Sequence, residues 1–97
     1  MDNYGQRCFV KDPSFASQEA IDELILVSTE QQSKQASNAY VLNEVAGRIW
    51  TLIDGERRVE EITGTIAEEF EVNSDELESD VVAFLKRLEQ MGAVSSI

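Results

Sequence analysis

The chain has 97 residues, of which 42% are hydrophobic, and a formal net charge of −11. A chain of this length has room for one small core, so we expect a single domain. It contains no histidine and one cysteine, Cys8. Disulfide frameworks, structural zinc sites and Ser-His or Cys-His catalysis are therefore excluded within the chain, and we expect no cofactor, no bound metal and no catalytic residue.

The sequence predicts neither a membrane nor a nucleic acid as a partner. No stretch approaches the roughly 20 apolar residues that span a bilayer, and residues 1–10 do not resemble a secretory signal, so the sequence predicts a cytoplasmic protein. Residues 59–85 contain many acidic side chains and no Lys or Arg, a composition that repels phosphates. We interpret this stretch as a solubilising surface, with an acidic docking site for a basic partner as the alternative.

The N-terminal residues show no clear periodicity. Residues 1–13 include Gly5 and Pro13 among mixed polar residues, a composition typical of an irregular segment. The sequence therefore predicts a flexible N-terminal arm over 1–13 and one folded domain over 14–97.

Three short strands are predicted next. Ser14–Ala20 alternates weakly between apolar and polar residues, and Leu24–Val27 is an apolar run too short for an ordinary helix. The polar stretch Glu30–Asn38 reads as a hairpin loop, and Ser37–Leu42 reads as the third strand. We expect these strands to form an antiparallel sheet.

Two helices are predicted between this sheet and residue 71. Asn43 is a good N-cap for the first helix, which we expect to end at Gly55. The second helix has its apolar residues on one face from Val59 to Phe70. Gly64 in its interior indicates either a close helix contact or a weak helix.

The third helix has the clearest boundaries in the chain. Asn73 is its predicted N-cap and Gly92 its predicted end. Its apolar spacing predicts a core-facing stripe formed by Leu77, Val81, Phe84, Leu88 and Met91. Strands followed by helices define the α+β class, and one face of so small a sheet must lie on the helices.

The segment from residue 40 to residue 94 resembles the PqqD family of small peptide-binding proteins. No single motif is specific, but the ordered set at these spacings is. The matching residues are Leu42-Asn43-Glu44, Ala46, Ile49-Trp50, Leu52 and Asp54-Gly55, then Val59-Glu60-Glu61-Ile62, Ala67 and Phe70, then Asp80-Val81, Ala83-Phe84-Leu85, Leu88 and Gly92. Arg58 and the Gln-rich loop depart from the family pattern.

This resemblance implies a winged-helix-like fold, with a three-stranded antiparallel sheet followed by a three-helix bundle. It also implies the function of a RiPP recognition element, a non-catalytic chaperone for ribosomally made precursor peptides. In such proteins the leader of the precursor adds as a strand beside the third strand, against the third helix, and is presented to a modifying enzyme. The enzyme is a radical SAM protein in the pathway that gave the family its name, and assignment to that pathway does not follow here.

The candidate peptide-binding residues lie on the third strand and on one flank of the third helix. An edge strand offers free N–H and C=O groups to an extended peptide. On the helix, the 3.6-residue period places four residues together beside the expected core stripe. A broad core stripe is the alternative interpretation of the two apolar ones, Val82 and Leu85. The full set is Ser37, Asn38, Ala39, Tyr40, Val41, Leu42, Glu78, Val82, Leu85 and Glu89.

Other functions stay open at this point. Three helices with a β-wing also occur in nucleic-acid-binding proteins, although the second helix lacks the Lys and Arg that bind phosphates. A carboxylate-based enzyme is disfavoured because the Glu pairs of the second helix fall on its solvated face. A dimerisation module is a further alternative, and the polar loop Glu30–Asn38 could act as a hinge for a domain-swapped homodimer instead of a monomer.

Overall fold

A computed structural model describes residues 4–21, 23–28 and 39–97. The described part contains two small antiparallel sheets and three α-helices after a short 3-10 helix at Tyr4–Gln6. In chain order the elements are β1 (Phe9–Lys11), β2 (Phe15–Ala20), β3 (Glu23–Ser28), β4 (Ala39–Leu42), α1 (Glu44–Leu52), α2 (Val59–Phe70), α3 (Ser74–Met91) and β5 (Val94–Ser96).

The three predicted strands form an antiparallel sheet with the order β2-β3-β4. Tyr40 of β4 lies opposite Leu26 of β3, and Leu42 lies opposite Leu24. Because side chains alternate along a strand, Leu24, Leu26 and Leu42 share one face, and all three are buried. The α+β class and a three-stranded antiparallel sheet that precedes three helices are confirmed.

The helices begin where the sequence predicts. The Asn43 side chain accepts a hydrogen bond from the Ala46 N–H at 2.8 Å, and the Asn73 side chain accepts one from the Asp75 N–H at 2.8 Å. Such caps satisfy amides that have no partner within the helix. Gly92 ends α3 at a φ of 82°, whereas α1 ends at Leu52, three residues before the predicted Gly55.

The core lies between the sheet and the helices. Its largest contributors include Trp50 of α1, Ile66 of α2 and Leu85 of α3, each at most 2% exposed. The backbone of α1 approaches the sheet closely at Gly47, where an added Cβ would lie 3.2 Å from the Leu24 Cβ. Burial of this apolar surface, worth about 25 cal/mol per Å², holds the sheet against the helices.

The N-terminal segment differs from the predicted flexible arm. Phe9, 2% exposed, belongs to the core, and β1 pairs with β5 at the other end of the chain. Hydrogen bonds also join the segment to the start of α2 and to the turn before it: the Val59 N–H donates to the Arg7 carbonyl at 2.9 Å, and the Gly55 N–H donates to the Phe9 carbonyl at 2.9 Å. The expectation of little order is therefore corrected for residues 4–13.

The interior glycine of α2 makes no close helix contact. A Cβ added at Gly64 would meet no atom within 4 Å, in contrast to Gly47. We expect Gly64→Ala to raise the free energy of unfolding by about 0.5–1 kcal/mol, because alanine loses less backbone entropy on folding. Urea denaturation measures the change. Gly47→Ala is the matched control and should give no such gain, and an unchanged midpoint for Gly64→Ala would contradict the prediction.

Candidate functional site

The strand β4 lies at one edge of the three-stranded sheet. In the described part of the chain it pairs with β3 alone, so its second edge faces away from the sheet. Its side chains are also accessible, since Val41 is 63% exposed and Tyr40 is 41% exposed. A sheet edge with these properties is a place where another extended segment can pair.

A groove of about 440 Å³ separates β4 from α3. Leu26 and Leu88, both buried, form its base, and Phe84 and Met91 of α3 form one wall. The groove is lined by Leu26, Ala39, Tyr40, Val41, Leu42, Asn43, Ala46, Phe84, Arg87, Leu88 and Met91. A cleft of mixed polar and apolar lining beside an edge strand can take both the backbone and the side chains of an extended peptide.

The predicted residues of β4 line this groove. Ala39, Tyr40, Val41 and Leu42 all belong to its wall, although Leu42 is also largely buried in the core. Ser37 and Asn38 lie outside the described residues. The strand half of the predicted site is therefore placed at the groove, and its role in binding stays a prediction.

The predicted residues of α3 lie elsewhere. Leu85 is 0% exposed and packs in the core, so the broad-stripe interpretation is correct for this position and its placement in a groove was wrong. Glu78 and Val82 line a separate shallow depression beside Lys86. Glu89 accepts a hydrogen bond from the Tyr4 hydroxyl at 2.9 Å, so this side of α3 receives the N-terminal segment.

The correction has a simple geometric cause. Successive residues of a helix are turned by about 100°, so Phe84 and Leu85 lie at opposite borders of a core stripe through Leu77, Val81 and Leu88. The periodicity alone predicted Phe84 within the stripe and Leu85 outside it. In the structure Leu85 is buried, and the half-buried Phe84 lies on the groove side.

Sequence reasoning did not identify the helix residues that do line the groove. These are Phe84, Arg87, Leu88 and Met91, which share one side of α3 at spacings of three and four residues. The sequence does contain a signal for them: Arg87 lies between Phe84 and Met91 on the same side of the helix. A fully buried stripe excludes an unpaired charge, so this side of the helix is expected to be partly exposed. This signal was missed because Phe84 and Met91 were both assigned to the core stripe.

Metal sites and membrane spans were also sought in the described part of the chain. No group of three or more His, Cys, Asp or Glu side chains in the described ranges could hold a metal ion. None of the helices within these ranges combines the length and the apolar content that a membrane span requires.

The described residues thus form a small α+β domain with a groove between an edge strand and a helix. The family model described as "Coenzyme PQQ synthesis protein D (PqqD)" matches residues 23–94. The chain therefore belongs to the PqqD family.

The chain is also similar to a solved structure. The structure titled "TbiB1 in Complex with the TbiA(beta) Leader Peptide" superposes with a TM-score of 0.73 at 27% sequence identity. The similarity covers 89% of this chain and 94% of that chain. None of the curated proteins compared with the chain matches it.

Proposed function

We propose that this protein is a non-catalytic adaptor that binds the leader of a ribosomally made precursor peptide. The observation that carries the proposal is the groove between the open edge of β4 and α3. Membership of the PqqD family and similarity to a protein solved with a leader peptide support it. The leader adds to the sheet as a strand beside β4.

The geometry of β4 favours strand addition over the docking of a helix. Main-chain hydrogen bonds to the open edge supply affinity that does not depend on sequence, and alternate side chains of the added strand enter the groove to supply specificity. Tyr40 lies on the groove side at the middle of β4, opposite Leu26. The sheet would thereby grow from three strands to four.

The second partner in this proposal is a peptide-modifying enzyme. The adaptor holds the leader, and the enzyme acts on the rest of the precursor. A radical SAM enzyme is the type that the family resemblance favours.

A nucleic-acid-binding role receives no support from α2. The helix α2 contains Glu60, Glu61, Glu68 and Glu69 and no Lys or Arg. A helix of this charge would repel the phosphate backbone, which normally dominates affinity for DNA. The charge of α2 therefore favours the peptide-binding function over a nucleic-acid-binding one.

An NMR titration tests the proposed function. The probes are synthetic leader peptides from the short reading frames encoded beside this gene, added to the 15N-labelled protein. We expect saturable shifts in the amides of Ala39–Leu42 and of residues 84–91, with little change in the exposed turn at Glu56. Absence of saturable shifts with every leader, or shifts confined to α2, would overturn the proposal.

A further inference from the structure

We infer that Arg87 selects peptides with an acidic side chain, an inference that rests on the proposed peptide-binding function. The ligand class is an extended peptide in which an Asp or Glu lies within two residues of an apolar side chain. The apolar side chain fills the groove beside Phe84 and Met91, and the carboxylate pairs with the Arg87 guanidinium. Arg87 thus acts as a specificity-determining residue.

Arg87 has no ion-pair partner among the described residues. Most other cations in these ranges have a partner: Arg48 pairs with Glu69 at 2.7 Å, Arg57 pairs with Asp54 at 2.6 Å, Arg7 and Lys86 lie over the Tyr4 ring, and Lys11 lies over Trp50. Arg58, which also lacks an ion pair there, precedes α2 and does not line the groove. The Arg87 guanidinium is therefore available to a ligand.

The charge of the groove is opposite to that of the molecule. The chain has 19 Asp and Glu residues, yet among the described residues none of them lines the groove, and Arg87 is its one charged lining residue. At physiological ionic strength charges are screened over about 8 Å, so the charges nearest to the groove dominate the field within it. A carboxylate entering the groove therefore meets a local positive field in an otherwise acidic molecule.

The spacing of the groove wall suits an extended peptide. Arg87 is three residues after Phe84 and four before Met91, so it lies about 4.5 Å and 6 Å from them along the helix axis. In an extended peptide, side chains that share a face recur about every 6.6–6.8 Å. One apolar side chain beside Phe84 or Met91 therefore leaves the neighbouring or next alternate side chain within reach of the guanidinium. A bidentate pair with Asp or Glu is the geometry that arginine favours.

A charge-swap selection tests this inference even where the precursor is unidentified. A display library of random 12-residue peptides is selected on the wild-type protein and on Arg87→Glu, with Arg58→Glu as the control that makes the same charge change away from the groove. We expect Asp or Glu to be enriched next to apolar residues in peptides selected by the wild type and by Arg58→Glu. Arg87→Glu should instead enrich Lys or Arg at that position.

Affinity measurements then give the size of the effect. For an acidic peptide from the wild-type selection, Arg87→Gln should weaken binding about three- to tenfold, and Arg58→Gln should leave it unchanged. The difference should shrink as salt is raised from about 50 mM to about 500 mM.

The outcomes separate the two proposals. Peptides that bind at β4 and α3 without any acidic preference, or an acidic preference that survives Arg87→Glu, would overturn the role of Arg87 and leave the adaptor function standing. Failure to select any peptide that shifts the amides of β4 would overturn both.

Discussion

A proline at the position of β4 whose N–H faces the open edge is expected to weaken peptide binding strongly while the protein stays folded. Successive residues of a strand direct their N–H groups to opposite edges, so one of Tyr40 and Val41 donates towards β3 and the other towards the open edge. At the open edge, proline removes a donor that only the bound peptide uses. We expect affinity to fall about ten- to hundredfold there, since a carbonyl of the peptide loses its hydrogen bond on burial.

The two proline variants control each other. The variant whose N–H faces β3 should lose a hydrogen bond of the native sheet and lower the thermal midpoint, as circular dichroism reports. The variant at the open edge should melt at the temperature of the wild type and bind the leader about ten- to hundredfold more weakly in a calorimetric titration. Tyr40→Ala and Val41→Ala keep the backbone donor and separate its loss from the loss of the side chain. Full binding by both proline variants would contradict strand addition at β4.

Local patterns in the sequence predicted most of the described fold. Asn43 and Asn73 specify helix starts by hydrogen bonds to amides only two or three residues away. Leu24–Val27 reads as a strand because the run is short, apolar and β-branched. Such signals depend on neighbouring residues alone, so they are visible before tertiary packing is considered.

The second sheet was not predictable in the same way. Its strands, Phe9–Lys11 and Val94–Ser96, have three residues each and pair the two ends of the chain. Three residues are too few to establish a period, and no turn joins the two strands. Only tertiary packing, with Phe9 in the core, gives these residues their order.

The same limit explains the error on α3. Periodicity showed that α3 has a wide apolar side, but it could not show which border of that side faces the sheet. The order of the elements in space decides this: the border at Leu85 lies in the core, and the border at Phe84 lies on the groove of β4. Strand residues 39–42 were predicted at the site because the resemblance to the PqqD family implies that the leader adds beside the third strand. An edge position for that strand agrees with the order β2-β3-β4.

Adjacent residues of α3 are expected to separate stability from binding. Leu85→Ala should lower the free energy of unfolding by about 2–5 kcal/mol, because it leaves a cavity in a fully buried site. Phe84→Ala should cost clearly less, since that ring is half-buried and borders the open groove. Urea denaturation measures both changes.

Binding should follow the opposite order. Phe84→Ala removes an aromatic wall of the groove, and we expect it to weaken leader binding about tenfold in a calorimetric titration, in line with aromatic residues at binding hot spots. Leu85→Ala, measured at a temperature where it stays folded, should bind within about twofold of the wild type. Weaker binding by Leu85→Ala than by Phe84→Ala, at equal folded fractions, would place the peptide on the Leu85 side of α3. That side already contacts Tyr4 through its hydrogen bond to Glu89, so a peptide there would have to displace the N-terminal segment. At the groove of β4, none of the other described strands pairs with the second edge.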